Sequence, residues 1–292
     1  MAISEWELSI TNDPALYQAQ NNSEEVKAQI GVIEHIIATG TDNIGVPGNP
    51  YLALLLATYD TNQVADGTWS LVLKVTDKSD NQSFYSVTFD IDNTAPDVNI
   101  TTPAENDLLG NSDTVNIEWS ISEVNNYDWE LYLGGGTEPE ATGTKNGPHS
   151  YTINDISSIY NNFDARCVFR VSAIDRAGNT AQHSISVLID TISPEIVNEV
   201  SSNSGQDLEI EFSEDMDTST FIAANFNYTG SGSIDQISVG SPTIVNVNIT
   251  SPANDDTIEV TTSITDEAGN QLEQAVIYIF DGTEWTENVN GA

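Results

Sequence analysis

One cysteine, Cys167, stands in 292 residues, so no disulfide can form within the chain and no thiolate cluster can hold zinc. Stability must come from packed cores and from ions. Three histidines, His35, His149 and His183, lie in unrelated segments, and no Gly-x-Ser-x-Gly, His-Glu-x-x-His or phosphate-binding loop occurs. Acidic pairs such as Asp255 with Asp256 or Glu214 with Asp215 are adjacent residues and do not make the cleft of a glycosidase. Nothing here points to an enzyme. No apolar run reaches the ~18 residues of a membrane span; the longest, residues 51–59, has the length of a strand. A signal peptide is missing too, so the leader and anchor of an exported protein are expected outside these residues.

Positive charge is the scarcest property of all. Lysine and arginine number 7 against 45 acidic residues, a formal charge of −38. Such a surface repels nucleic acid and anionic lipid alike. It is tolerated where salt screens it or divalent cations sit among the carboxylates, which are conditions of the extracellular side. Enough apolar material remains to fold: 38% hydrophobic and 8% aromatic residues suffice for several cores, and the length fits two or three domains.

A repeat is the strongest signal present. Asp77-Lys-Ser-Asp-Asn81, Asp175-Arg-Ala-Gly-Asn179 and Asp266-Glu-Ala-Gly-Asn270 are three versions of one turn, roughly a hundred residues apart, the length of one sandwich domain. Counting back two, four, six and eight residues from each leading Asp gives Val75, Leu73, Leu71, Trp69; Ala173, Val171, Phe169, Cys167; and Ile264, Thr262, Val260, Ile258. Counting forward ten, twelve and fourteen gives Val87, Phe89, Ile91; Ile185, Val187, Ile189; and Val276, Tyr278, Phe280. Period-two alternation on both sides of a polar turn predicts three antiparallel hairpins, each with one face in a core. Gly178 and Gly269 suit positive φ, with Asp80 in their place in the first copy.

Fifteen residues after each leading Asp stands Asp92, Asp190 or Asp281, and Pro96 and Pro194 follow the first two. Proline cannot continue a ladder, so these stretches read as short linkers, and the third copy has none. The domains expected are therefore 1–94, 95–192 and 193–292. Further strands are expected where Val115, Ile117, Trp119 and Ile121 alternate, at Leu208 to Phe212 and at Val245 to Ile249. Trp6, Leu8 and Ile10 open the first domain. Residues 22–37 read either as a capped helix or as a strand, with a strand over 28–38 favoured by its Ile and Val content and by Gly31.

With these residues in view, the chain resembles the bacterial and archaeal immunoglobulin-like repeats of surface-layer proteins, adhesins and secreted hydrolases. The resemblance rests on Leu56 to Asp60, Asp66-Gly-Thr-Trp69 and Asp77 to Pro96 in the first domain, and on Pro96 to Pro103 and Glu130 to Leu133 in the second. Leu208 to Thr220 followed by Ala224-Asn-Phe226 is similar to a subgroup first known from surface-layer proteins. The resemblance implies an all-β chain of three tandem immunoglobulin-like β-sandwich domains in an elongated rod, acting as a structural or spacer segment at the cell surface. An adhesin tip binding glycan or receptor, and accessory modules of a hydrolase, are the other roles it allows. Expected partners are other copies of a surface protein, in a homo-polymer, or surface glycans and proteins; nucleic acid and membrane insertion are not expected.

One site chemistry suggests itself at the linkers. Asp90, Asp92, Asn93 and Asp97 gather oxygen ligands at the first, a hard-donor set suited to Ca²⁺. At the second, Leu188 stands where Asp90 would be, leaving Asp190 and Glu195 unless the 214–217 loop contributes. Solvated carboxylates in a very acidic chain are the alternative. Cys167 reads as a small buried hydrophobe, and Tyr127, Trp129 and Leu131 read as a core face rather than a sugar platform. Trp285, beyond the last hairpin, is either an exposed contact or a cap on the core. Sequons at Asn21, Asn81, Asn99, Asn227 and Asn248 permit surface glycosylation.

Overall fold

The computed structural model of the chain describes residues 3–12, 34–40, 58–201 and 205–288. Two compact units emerge, Met1–Pro96 with Ile174–Thr180, and Asp97–Ala173 with Ala181–Ala292.

Among the described residues the first unit contains one antiparallel sheet built from β1 (Ile3–Thr11), β2 (Glu34–Gly40), β3 (Gly67–Asp77) and β4 (Gln82–Ile91), in the order β2-β1-β3-β4. The β3–β4 hairpin is the expected one: Trp69 lies opposite Phe89, Leu71 opposite Val87 and Leu73 opposite Tyr85. Ile10, Val64, Trp69 and Ile91 form its buried core, with Tyr59 and Phe89 packed on them. Val87, expected to face inward, is 48% exposed; among the described residues Tyr59 and Val64 pack at the Trp69 end of the hairpin. Of the strand expected over 28–38, residues 34–38 belong to β2 and 28–33 lie outside the described residues. The helical alternative over 22–33, the apolar run over 51–57 and the sequon at Asn21 lie outside them too.

In the second unit, the strands of one sandwich are β5 (Asp97–Thr102), β6 (Leu108–Leu109), β7 (Val115–Ser122), β8 (Tyr127–Leu133), β9 (Ala141–Thr144), β10 (Ser150–Ile153), β11 (Asp164–Asp175) and β12 (Thr180–Asp190). A β10-β7-β5 sheet and a β6-β12-β11-β8-β9 sheet share one core. Every inward residue of the second hairpin named from the alternation, Cys167 to Ala173 and Ile185 to Ile189, is buried there. Each large side chain so buried stabilises the fold by about 1.5–3 kcal/mol. Tyr127, Trp129 and Leu131 join that core, with Trp119 edge-on to Trp129 at 4.8 Å between ring centroids. Cys167 is 5% exposed, and burial pushes its thiol pKa up, away from reactivity.

A separate core follows, made by β13 (Ile196–Ser201), β14 (Asp207–Phe212), β15 (Phe226–Thr229), β16 (Ser233–Ser241), β17 (Ile244–Thr250), β18 (Thr257–Val260), β19 (Val276–Phe280) and β20 (Trp285–Glu287). Its sheets run β13-β14-β17-β16 and β15-β18-β19-β20. The third hairpin departs from the expected pattern: β18 stops at Val260, and Thr262 is exposed rather than inward. A polar threonine gains nothing from the core, and Ile264 and Leu272 are buried instead from the irregular loop beyond it. Trp285 is a cap on the core, 2% exposed, its indole N–H donating to the Gly205 carbonyl at 2.7 Å.

A four-stranded sheet of first, second, fifth and fourth strands packed against a sheet of third, sixth and seventh is the immunoglobulin sandwich. The chain is all-β, built from tandem sandwiches of this kind. One correspondence was not legible from strand order alone. β15 and β8 each lie beside the leading strand of the hairpin, β18 and β11, and in the first unit that place belongs to β1. So β1, although first in the chain, is not an outer opening strand like β5 or β13.

Candidate functional site

The three repeated turns share one hydrogen-bond scheme. The leading Asp N–H donates to the carbonyl of the Asn four residues on, at 2.9 Å for Asp77, 3.0 Å for Asp175 and 3.1 Å for Asp266. Its carboxylate accepts that asparagine's backbone N–H and side-chain amide, all at 2.8 to 3.0 Å. The residue before the Asn has positive φ in every copy: Asp80 at 64°, Gly178 at 95° and Gly269 at 84°. Glycine takes that conformation without strain, and aspartate is among the few other residues that visit it.

Two of these asparagines also hold a linker. Within the first unit, the Asn179 side-chain amide donates to the main-chain carbonyls of Asp92 at 2.9 Å and Thr94 at 3.3 Å. In the second unit, Asn270 donates to the Asp190 carbonyl at 3.0 Å and accepts the Asn111 N–H at 2.6 Å. Asn270 is 3% exposed, so its amide is a buried polar group with its bonding capacity in use. A turn residue thus becomes a junction residue. The sequence showed the turn but carried no sign of a partner so distant in the chain.

Beside Asn270 lies a group of three carboxylates. Asp190, Glu214 and Asp266 each bring an oxygen within 4.8 Å of the others. Asp190 ends β12, Glu214 follows β14, and Asp266 leads the third turn. Burial, together with the negative charges of Asp190 and Asp266, raises the Glu214 pKa to about 7. Burial likewise raises Asp190 and Asp266, the latter in spite of its bonds from Asn270. Like charges this close repel, and they are relieved by a proton or by a cation. The donors are all oxygen, the set a hard divalent ion such as Ca²⁺ takes, where about six to eight oxygens complete the shell. The three residues fit such an ion.

Of the residues expected to bind metal, Asp190 belongs to this group, with Glu214 from the loop considered alongside it and Asp266 unforeseen. Glu195 is exposed, its backbone tied to Ser213 through N–H to Oγ at 3.0 Å and carbonyl to N–H at 2.9 Å. At the first linker, Asp90 is exposed and accepts the Thr68 hydroxyl at 2.7 Å, and Asp92 accepts the Thr94 N–H at 3.2 Å. Asn93 is committed elsewhere. Its side chain accepts the Thr61 hydroxyl at 3.0 Å and donates to the Thr61 and Val64 carbonyls, and its N–H donates to Asp66 at 2.7 Å. Asp97, the first residue of β5, is exposed and belongs to the second unit. Asp66 organises this linker, taking both the Asn93 N–H and the Thr94 hydroxyl, and these bonds hold its carboxyl below the usual range.

Outside the linkers, His149 lies against Tyr127 and Trp119, and His183 accepts the Ile100 N–H through Nδ1 at 3.0 Å. Both serve packing. Among the described residues no helix is long and apolar enough to cross a membrane.

No protein-family model matches the chain, and no curated protein sequence matches it. Among solved structures it is similar to a tetra-tandem repeat in the extending region of a large adhesion protein, at 18% identity and a TM-score of 0.32, covering 97% of this chain and 68% of that one. A second likeness is to fibronectin(III)-like modules of CbhA from Clostridium thermocellum, at 14% identity and a TM-score of 0.30, covering 65% of this chain and 78% of the other. A third is to a three-immunoglobulin-domain segment of titin, at 11% identity and a TM-score of 0.36, covering 78% and 81%. Nothing about ligand or partner follows from likenesses of this size.

Proposed function

We propose that the chain is a non-catalytic structural segment of an extracellular prokaryotic surface protein, a stalk, surface-layer or filament piece. Its modules are 1–94, 95–192 and 193–292, and Ca²⁺ at Asp190, Glu214 and Asp266 stiffens the junction before the third. The observation that carries this reading is the double use of the third turn. Asp266 and Asn270 hold each other, Asn270 holds the Asp190 carbonyl, and the carboxylates of Asp190 and Asp266 lie together with Glu214. A site whose ligands come from a linker, a loop and a turn of two successive sandwiches joins them when a cation binds. The acidic composition suits the saline or calcium-rich exterior in which such proteins work.

Calorimetric titration and thermal melting of the whole chain test it, in EDTA and in CaCl₂ at pH 8. Binding is expected to stabilise the protein by about 2.7 kcal/mol when free Ca²⁺ reaches a hundred times its dissociation constant. Glu214→Gln is expected to weaken that gain at least tenfold in affinity. No heat and no rise in melting temperature would discard the calcium site.

A further inference from the structure

The two sandwich hairpins that end in Asn81 and Asn179 differ in what covers them. In the second unit the eighth residue after the leading Asp, His183, accepts the Ile100 N–H from β5, and the tenth, Ile185, is 6% exposed. The opening strand of that sandwich therefore covers this part of the hairpin. In the first unit the equivalent residues are Tyr85 and Val87, 70% and 48% exposed, beside Leu73 and Leu71 of β3. Among the described residues no strand has the part of β5 there, because β1 occupies the place of β8.

The same end of the first unit carries the turn of Asp77 and Asn81. Asn179 and Asn270 each add to their turn a bond to the carbonyl of a linker that runs into an opening strand, β5 after Asp92 and β13 after Asp190. Asn81 is exposed, and among the described residues its side chain bonds only the Asp77 carboxylate.

We propose that this end of the first unit is a docking surface for the linker and opening strand of another immunoglobulin-like module. One extended segment satisfies both halves: a linker carbonyl takes the Asn81 amide, and alternating apolar side chains such as Val98 and Ile100 cover Tyr85 and Val87. A strand laid on the face of a sheet gains affinity from the apolar area its alternate side chains bury. The third repeat is not the donor, even from a second copy. Its Asp281 accepts the Thr283 and Glu284 N–H groups at 2.8 and 2.9 Å in a tight turn, and β20 then folds back along β19. The partner is a module whose linker is open.

The inference rests on the tandem-module reading and is independent of calcium, so its test is run in EDTA. The ¹⁵N-labelled full-length chain is titrated with a synthetic peptide of residues 92–102, with a scrambled peptide as control. Saturable shifts are expected at the Asn81 side-chain amide and at the backbone amides of residues 84–88. Asn81→Ala is expected to weaken binding about fivefold, the worth of one hydrogen bond, and Tyr85→Lys by at least as much. Tyr85 is exposed, so circular dichroism and the urea midpoint of Tyr85→Lys should match the parent chain, while Asn81→Ala, which also loses its bond to the Asp77 carboxylate, should keep the parent's circular dichroism at a lower urea midpoint. Absence of saturable shifts, shifts confined to other residues, or unchanged affinity in both variants overturns the proposal. A chain that binds Ca²⁺ and not the peptide removes this inference and leaves the structural role standing.

Discussion

The side-chain amide of Asn270 and the main-chain carbonyl of Asp190, 80 residues apart in sequence, are joined by a hydrogen bond of 3.0 Å. That bond ties the last turn of one sandwich to the linker that precedes it. Four measurable consequences follow from the surroundings of this pair and of two glycines.

Asn270→Ala removes bonds to Asp190, Asp266 and Asn111 at once, leaving the half-buried Asn111 N–H without its acceptor and the buried Asp266 carboxylate without the side-chain amide. A buried group stripped of its partner costs about 1–3 kcal/mol, so urea unfolding should show a loss of about 2–4 kcal/mol. Asn270→Asp should lose more in EDTA, since it adds a fourth negative charge beside three carboxylates. A change below about 0.5 kcal/mol in the alanine variant, as at an ordinary surface site, would show that the tie is dispensable.

Gly110 lies so close to the third turn that an added Cβ would fall 2.0 Å from the Ala268 carbonyl oxygen and 3.0 Å from its carbon. These are backbone atoms and cannot swing aside. Gly110→Ala should therefore cost upward of about 2 kcal/mol and separate the melting of the second and third cores into two transitions in calorimetry. Gly67→Ala is the control for φ alone, having open space around its Cβ direction and a φ of 138°. It should lower stability without splitting the transition.

Stability of the second unit should fall as pH rises through the range set by Glu214. Its folded pKa of about 7 lies above the ordinary 4.5. The folded protein then holds more protons than the unfolded chain between those values, and stability declines across that window. Asp190 and Asp266, also raised, act in the same direction. Melting curves in EDTA from pH 4 to pH 8 should show the decline, and Glu214→Gln should flatten it. An unchanged slope in the variant would assign the pH dependence elsewhere.

Asp256 works with the opposite sign. Its carboxylate accepts the Tyr228 hydroxyl and the N–H groups of Ala253, Ser231 and Gly232, and these bonds lower its pKa to about 2. The stability it contributes is present above the ordinary value of 3.8 and lost as pH falls toward 2. Asp256→Asn should remove that acid limb from the unfolding of the third core, followed by Trp285 fluorescence. Gly230→Ala should mimic the loss at neutral pH, since its Cβ would meet the Asp256 carboxylate at 2.0 Å with φ at 151°.

The hairpins were legible because their signals are local. Asp, a residue able to take positive φ, and Asn stand at fixed offsets, and inward residues alternate on either side. The same locality explains what was missed. Nothing near Asp266 in sequence says that its turn lies beside Asp190 and Glu214, so of the carboxylate group Asp190 and the loop of Glu214 were named and Asp266 was not. Asn93 offered an oxygen next to acidic neighbours, but a loop as distant as Thr61 and Val64 uses its side chain. Alternation marked Leu8 and Ile10 as strand without telling which strand of a sandwich they form, since period two is common to all of them. Thr262 kept the right interval with the wrong chemistry, and the strand ended before it.

The asparagine ties grip main-chain carbonyl oxygens, which every amino acid possesses. Asn179 therefore reads nothing of the side chains of Asp92 or Thr94, and Asn270 nothing of Asp190's. The two linkers, Asn93-Thr94-Ala95 and Thr191-Ile192-Ser193, differ in sequence, and each has a carbonyl nearby that an asparagine amide takes. A seam held through carbonyl oxygens alone places no demand on the side chain at that point of the linker.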